Sequence, residues 1–289
     1  MSSKFISRGA DKYDSFMGRW SRRLAPLFID FAGLAAGERV LDVGCGTGSL
    51  TFALVKHANV ASVEAIDYEQ QFVDAARERN TDPRINIQRG DACKLEFSDG
   101  QFDRALSMLV LQFVTDPEHA VFEMRRVVRP GGVVAATVWD NFGGQPATRM
   151  FWDTVTAIDP NALKWRNASL MRATTRPGEL AGIFKKAGLI DVMETMLCIQ
   201  MGFANFDDYW IPTAGQGTHA GYLEGVPDAT RQRMMDAVKA AYLCGNADGP
   251  RSFMNLAWAA RGTVPAAFAG AAISEANKPI TADDSGQSI

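Results

Sequence analysis

The run Val40-Leu41-Asp42-Val43-Gly44-Cys45-Gly46-Thr47-Gly48 constrains this chain more than any other segment. A short apolar stretch ends at three alternating glycines, and an amphipathic stretch over residues 50–57 follows at once. That order predicts a buried strand, a tight turn and a helix. Glycine removes the Cβ that would hold a ligand away from the main chain. The helix beyond offers unpaired N–H groups to a carboxylate or phosphate. The glycine order is Gly-x-Gly-x-Gly. Ser49 and Thr51 stand where a dinucleotide fingerprint would need its third glycine, and no Gly-Lys-Ser/Thr follows, which excludes a P-loop.

The alternation continues downstream. Residues 63–66, 85–88, 102–108 and 133–139 read as further strands, with a helix over 70–79 between the first two. Asp116-Pro117 opens another helix, with proline in its first turn, and Arg129-Pro130-Gly131-Gly132 stops it. Strand and helix at this spacing mean parallel βαβ units with right-handed crossovers. After Asp140 the regularity lapses. Residues 141–176 read as irregular, 178–187 as a short helix, 189–201 as a sixth strand, 205–210 and 228–243 as cap helices, and 252–260 as a seventh strand. Ahead of the first strand, 11–32 reads as helical, with Leu24, Leu27, Phe28 and Phe31 at helical spacing. The Ala-rich, then polar, stretch from 263 reads as a loose tail.

Two acids extend the signal at the glycines. Asp67 closes the second strand about twenty residues beyond them, where a carboxylate can accept two ribose hydroxyls. Gly90-Asp91-Ala92 follows the third strand, where an acid can accept from an adenine amino group. Composition narrows the partners. A net charge of −3 provides no global field for nucleic acid, and the arginine runs at 19–23 and 125–129 read as solvated helix faces. Cys45, Cys93, Cys198 and Cys244 are scattered without a Cys-x-x-Cys pair, and so are His57, His119 and His219. This usage predicts reduced thiols, a cytoplasmic protein and no metal site. No secretory signal or membrane span is read.

Residues 40 to 140 resemble the class I S-adenosylmethionine-dependent methyltransferases. The resemblance is strongest to the small-molecule branch that includes ubiquinone and menaquinone biosynthesis enzymes, the type 11 methyltransferase domain. The matching pieces are 40–48, Ala65-Ile66-Asp67, Gly90-Asp91-Ala92, Phe102-Asp103 and Arg126-Val127-Val128-Arg129-Pro130-Gly131-Gly132. The last differs from the family's Arg-Val-Leu-Lys-Pro-Gly-Gly at Val128 and Arg129. The implied fold is α/β: a doubly wound seven-stranded sheet, mostly parallel with an antiparallel last strand, helices on both faces and a small helical cap. The expected division is a helical lid over 1–36, a cofactor core over 37–140, cap insertions and the rest of the sheet over 141–265, and a flexible tail over 266–289.

The resemblance also implies a cofactor, S-adenosylmethionine, and residue roles. Gly44, Gly46, Thr47 and Gly48 would line its methionine and ribose end. Asp42 would hold the amino group, directly or through water, and Asp67 the ribose. Tyr68 would lie along the adenine face, Asp91 and Ala92 would fix its edge, and Met108 would meet the cofactor through its backbone. Tyr13 and Arg19 resemble the N-terminal lid of such enzymes, with Arg19 on the methionine carboxylate. No decisive general base is visible. Gln112, Trp139 and His219 are the acceptor-pocket candidates, each with a structural alternative as turn cap, core residue or loop histidine. Trp152, Trp165, Tyr209, Trp210 and Tyr222 suit a flat or apolar small-molecule acceptor, or else glue the cap to the core. A monomer or homodimer is expected. The competing readings are an NAD(P)-dependent oxidoreductase, a methyltransferase for protein or RNA, and a non-catalytic S-adenosylmethionine-binding protein. The glycine order and the absence of a Tyr-x-x-x-Lys pair count against the first.

Overall fold

A computed structural model describes residues 17–215 and 217–266. Helix α1, Arg19–Ala32, leads into strand β1, Arg39–Val43, helix α2, Ser49–His57, and strand β2, Ser62–Asp67. Helix α3, Gln70–Arg79, then leads to β3, Ile85–Arg89, and β4, Phe102–Met108. Helix α4, Pro117–Val127, precedes β5, Val128–Trp139. Asp116 caps α4 by accepting from the His119 N–H at 2.9 Å, and Pro117 occupies the first turn, where its missing N–H costs nothing.

The seven strands form one sheet in the order β3-β2-β1-β4-β5-β7-β6, where β6 is Ile190–Phe203 and β7 is Arg251–Thr263. β1 pairs in parallel with both β2 and β4, and β4 with β5. β7 runs antiparallel to both β5 and β6, as expected of the last strand. The strand order reverses direction between β1 and β4, which opens a crevice at their carboxyl ends. Helices cover both faces. On one, Trp20, Leu24 and Phe28 of α1 pack with Leu50 and Leu54 of α2 against Val40 and Leu106. On the other, Val121 and Met124 of α4 pack with Phe102, Val134 and Phe184. β1, β4 and β5 are buried on both sides toward their carboxyl ends because both sides are covered.

Three parts of the sequence reading are corrected. Residues 141–176 are not irregular: they hold α5, Pro146–Ile158, and α6, Ala162–Leu170. After α7, Glu179–Lys186, and α8, Phe206–Gly215, the segment around His219 forms α9, Gly217–Glu224, rather than a loop; α10 is Asp228–Leu243. The arginines at 125–129 do not share one solvated face: Arg125 and Arg126 are enclosed, and only Arg129, on β5, is exposed. Arg125 is buried and donates to the Ala187 carbonyl at 2.8 Å. Arg126 donates to the carbonyls of Leu95 and Phe97 while pairing with Glu123 and Asp99.

Charge pairs gather at the amino ends of the central strands. Arg104 meets Glu38 at 2.6 Å, and Asp103 takes Arg129 at 2.6 Å and the Arg39 N–H at 2.8 Å. Among the described residues the carboxyl ends of β1, β2 and β4 carry no such lattice. Among the described residues no helix is long and apolar enough to cross a membrane.

Candidate active site

The turn after β1 is tied to β2. The N–H groups of Gly44 and Cys45 both donate to the Ile66 carbonyl, at 2.8 and 2.9 Å. Gly44 has φ +80°, and a Cβ there would drive into the Val110 side chain. Gly48 has φ +91°, and a Cβ there would meet the Phe52 ring. These two glycines therefore serve internal packing as well as any ligand.

Asp67 closes β2 facing the turn. Its Oδ2 accepts from the Gly46 N–H at 2.8 Å and its Oδ1 from the Glu69 N–H at 2.9 Å. Each oxygen keeps further acceptor capacity. Burial pushes the carboxyl up to about 6, against the pull of those two N–H groups. Asp42 lies beneath, fully buried. Its Oδ2 accepts from Thr51 Oγ1 at 2.6 Å, and its Oδ1 has no partner among the described residues. Burial raises it to about 7, Thr51 opposes the rise, and the nearby Asp67 charge adds to it.

A cavity of about 100 Å³ opens over this turn at the reversal point of the sheet. Of the residues that the sequence assigns to the cofactor, Gly44, Gly46, Thr47, Asp67, Tyr68, Ala92 and Met108 line it. Gly90 lines it in place of Asp91, whose Oδ1 is engaged by the Cys93 N–H at 2.9 Å. Asp42 and Gly48 sit behind the lining rather than on it. Glu69, Phe72, Leu109, Val110 and Phe113 also line it and were not anticipated. Glu69 was within reach of the sequence, two residues beyond Asp67. Among the described residues the lining holds two acids, Asp67 and Glu69, and no lysine, arginine or histidine. It therefore suits a ligand that brings hydroxyls and positive charge, and gives a pyrophosphate no cation to meet.

A second, larger cavity of about 480 Å³ adjoins the first, and Leu109 and Phe113 line both. Leu109 carries φ +66°, left-handed backbone that a branched aliphatic residue rarely adopts, and its N–H donates to the Thr137 carbonyl at 2.7 Å. All three acceptor-pocket candidates, Gln112, Trp139 and His219, line this second cavity. Gln112 Oε1 also accepts from the Trp139 N–H at 2.9 Å, which fixes the amide. His219 stacks on Trp152 at 5.0 Å and meets Phe151 edge-on at 4.6 Å, and its Nε2 has no partner among the described residues. Burial, helped by the Arg172 charge, pushes it down to about 3, so the imidazole is neutral. Trp152 and Trp165 line the cavity; Trp210 and Tyr209 instead pack in the core with Phe206.

Arg19 is corrected. It is held by Asp208, at 2.9 and 3.2 Å, and lies over the Trp20 ring 4.2 Å from its centroid. It lines neither cavity described above. Tyr13 lies outside the described residues.

Residues 41–136 match a methyltransferase-domain family. The chain is 32% identical over 186 residues to an uncharacterized 37.1 kDa protein in a transposon of Streptomyces fradiae, covering 64% of this chain and 48% of that one. It is 31% identical to a demethylmenaquinone methyltransferase of Bacillus subtilis, covering 54% of this chain and 72% of that protein. The chain spans less than two thirds of the length of the first curated relatives it matches, from 48% to 63%. In fold it is similar to a Haemonchus contortus phosphoethanolamine N-methyltransferase solved with phosphomonomethylethanolamine and S-adenosylhomocysteine. That likeness has a TM-score of 0.56 at 18% identity over 89% of this chain and 57% of that one. Sequence kinship and sheet order agree: the chain belongs to the methyltransferase-domain family.

Proposed function

We propose that this protein is an S-adenosylmethionine-dependent methyltransferase acting on a small molecule. The observation that carries the reading is the charge of the first cavity: among the described residues, two acids and no base around a glycine turn, at the reversal point of a doubly wound sheet. S-adenosylmethionine, when bound, supplies a methyl group already activated on a sulfonium. The residues present fit that donor. Asp67 would accept the ribose hydroxyls with the lone pairs its two backbone bonds leave over. Tyr68 and Ala92 would flank the adenine, and Met108 would border the donor from β4. The free Oδ1 of Asp42 is an unsatisfied acceptor beneath the turn, suited to an amino group reached through water.

The second cavity would hold the acceptor. It meets the first at Leu109 and Phe113, which keep the two ligands adjacent. Holding an acceptor in line and dry supplies a large share of such a rate, roughly 7–11 kcal/mol in favourable cases. Gln112 would orient the acceptor, its amide already fixed by Trp139. His219, kept neutral, would act as a hydrogen-bond partner rather than as a strong proton acceptor. The rest of the reading is a cytoplasmic monomer or homodimer that binds no nucleic acid.

Calorimetry with S-adenosylhomocysteine and with NAD tests this. Micromolar binding of the former alone is expected; binding of NAD alone overturns it. A screen of small molecules with an isotopically labelled methyl donor then separates an enzyme from a binding protein that transfers nothing.

A further inference from the structure

The second cavity carries positive charge that the protein does not balance. Arg149, Arg166 and Arg172 line it against one acid, Glu224. Arg166 and Arg149 share Asp153, at 2.7 and 3.4 Å. Arg172 has no carboxylate partner among the described residues. Its Nη2 donates to Thr218 Oγ1 at 3.2 Å, and its guanidinium lies over Phe113, 4.6 Å from the ring centroid. Most of its donor fork has no protein partner among the described residues. Burial lowers its affinity for a proton, the mark of a cation short of compensation.

Other buried or partly buried arginines have protein acceptors for their charge: Arg125, Arg251 and Arg261 donate to backbone carbonyls, and others meet acids. Arg104 meets Glu38, Arg126 meets Glu123, and Arg19 meets Asp208. An arginine kept beside a cavity without an acid is costly unless a ligand supplies one. Its surroundings describe that ligand. Trp139, Trp152 and Trp165 border the same space, while the stacking of Arg172 on Phe113 sets the guanidinium beside the residue that divides the two cavities.

We infer that the methyl acceptor is an aromatic carboxylate, its acid group held by Arg172 and its ring lying among the tryptophans. A planar guanidinium fork matches two carboxylate oxygens and one negative charge. The dianion of a phosphate would need a second unpaired cation, and the neighbouring arginines already share Asp153. The inference rests on the reading of the second cavity as the acceptor site, and it makes Arg172 a specificity-determining residue.

The test uses the full chain and matched pairs: benzoate with benzamide, and indole-3-carboxylate with its amide. S-adenosylhomocysteine is first titrated alone, so failure of the methyltransferase reading registers there. The pairs are then titrated by calorimetry, with and without S-adenosylhomocysteine. At least one acid should bind tenfold or more tightly than its amide. Arg172→Gln should erase that preference and Arg172→Lys should restore part of it, both with unchanged S-adenosylhomocysteine affinity. The inference is overturned if no acid outbinds its amide in the unaltered protein, or if Arg172→Gln keeps the ratio.

Discussion

Lowering the pH should weaken cofactor binding through Asp67, by an amount the structure sets. Ribose hydroxyls need the ionised carboxylate, because a protonated carboxyl gives up acceptor capacity. Burial holds Asp67 at about 6 in the ligand-free protein. At pH 8 the group is almost wholly ionised; at pH 5 roughly one molecule in ten carries the charge. Affinity for S-adenosylhomocysteine should therefore fall about tenfold from pH 8 to pH 5, equivalent to about 1.4 kcal/mol. The sign is fixed: a ligand that prefers the ionised form releases protons on binding below the folded pKa. Calorimetry in buffers of different ionisation enthalpy reads both the affinity and the proton count. Asp67→Asn should bind weakly throughout and lose most of the slope; any slope left belongs to Asp42, which titrates near 7. A wild-type affinity that is flat between pH 5 and 8, or a variant with the wild-type slope, would refute the role given to Asp67.

Three further outcomes follow from the same geometry. Asp42 has a higher pKa in the fold than the ordinary 3.8, so the folded chain binds the proton more tightly and the ligand-free protein loses stability as pH rises from about 4 to about 7. Asp42→Asn should flatten that decline in melting temperature, and an unchanged decline would count against it. Gly44→Ala combines a left-handed backbone with a clash on Val110 and should cost about 2–5 kcal/mol in denaturant unfolding; a loss below 1 kcal/mol would mean the turn relaxes freely. Arg19→Ala should leave S-adenosylhomocysteine affinity within about twofold while costing about 1 kcal/mol of stability or less, the range of a partly exposed ion pair. A tenfold weaker affinity would return Arg19 to the cofactor.

Much of the sheet was legible because its signals are local. Arg39–Val43, Gln70–Arg79 and Phe102–Met108 begin and end where periodicity and glycines place them. The cofactor side was legible for the same reason: Gly44, Gly46, Asp67 and Ala92 each close or follow a strand. The cap was not. Pro146 did mark a helix start, but Thr148, Thr154, Val155 and Thr156 are weak helix formers, and α5 is held by Phe151, Trp152 and Val155 packing inward. α9 opens with Gly217 and contains Gly221, so its stability comes from contacts such as Trp152 with Tyr222, made across the fold. The contact of Arg19 was not legible because its partner, Asp208, lies 189 residues away. Arg172 belongs to no motif, and only the folded chain shows that it has no acid beside it among the described residues.

The sheet has two unlike rims. Glu38, Arg39, Asp103, Arg104 and Arg129 clasp one another where the middle strands begin, while the ligand-facing groups stand where those strands finish. Robustness and chemistry thus occupy opposite borders of the same layer. Specificity can drift by exchange of residues along the open border, and heat tolerance can be tuned along the closed one, with little cross-talk between them.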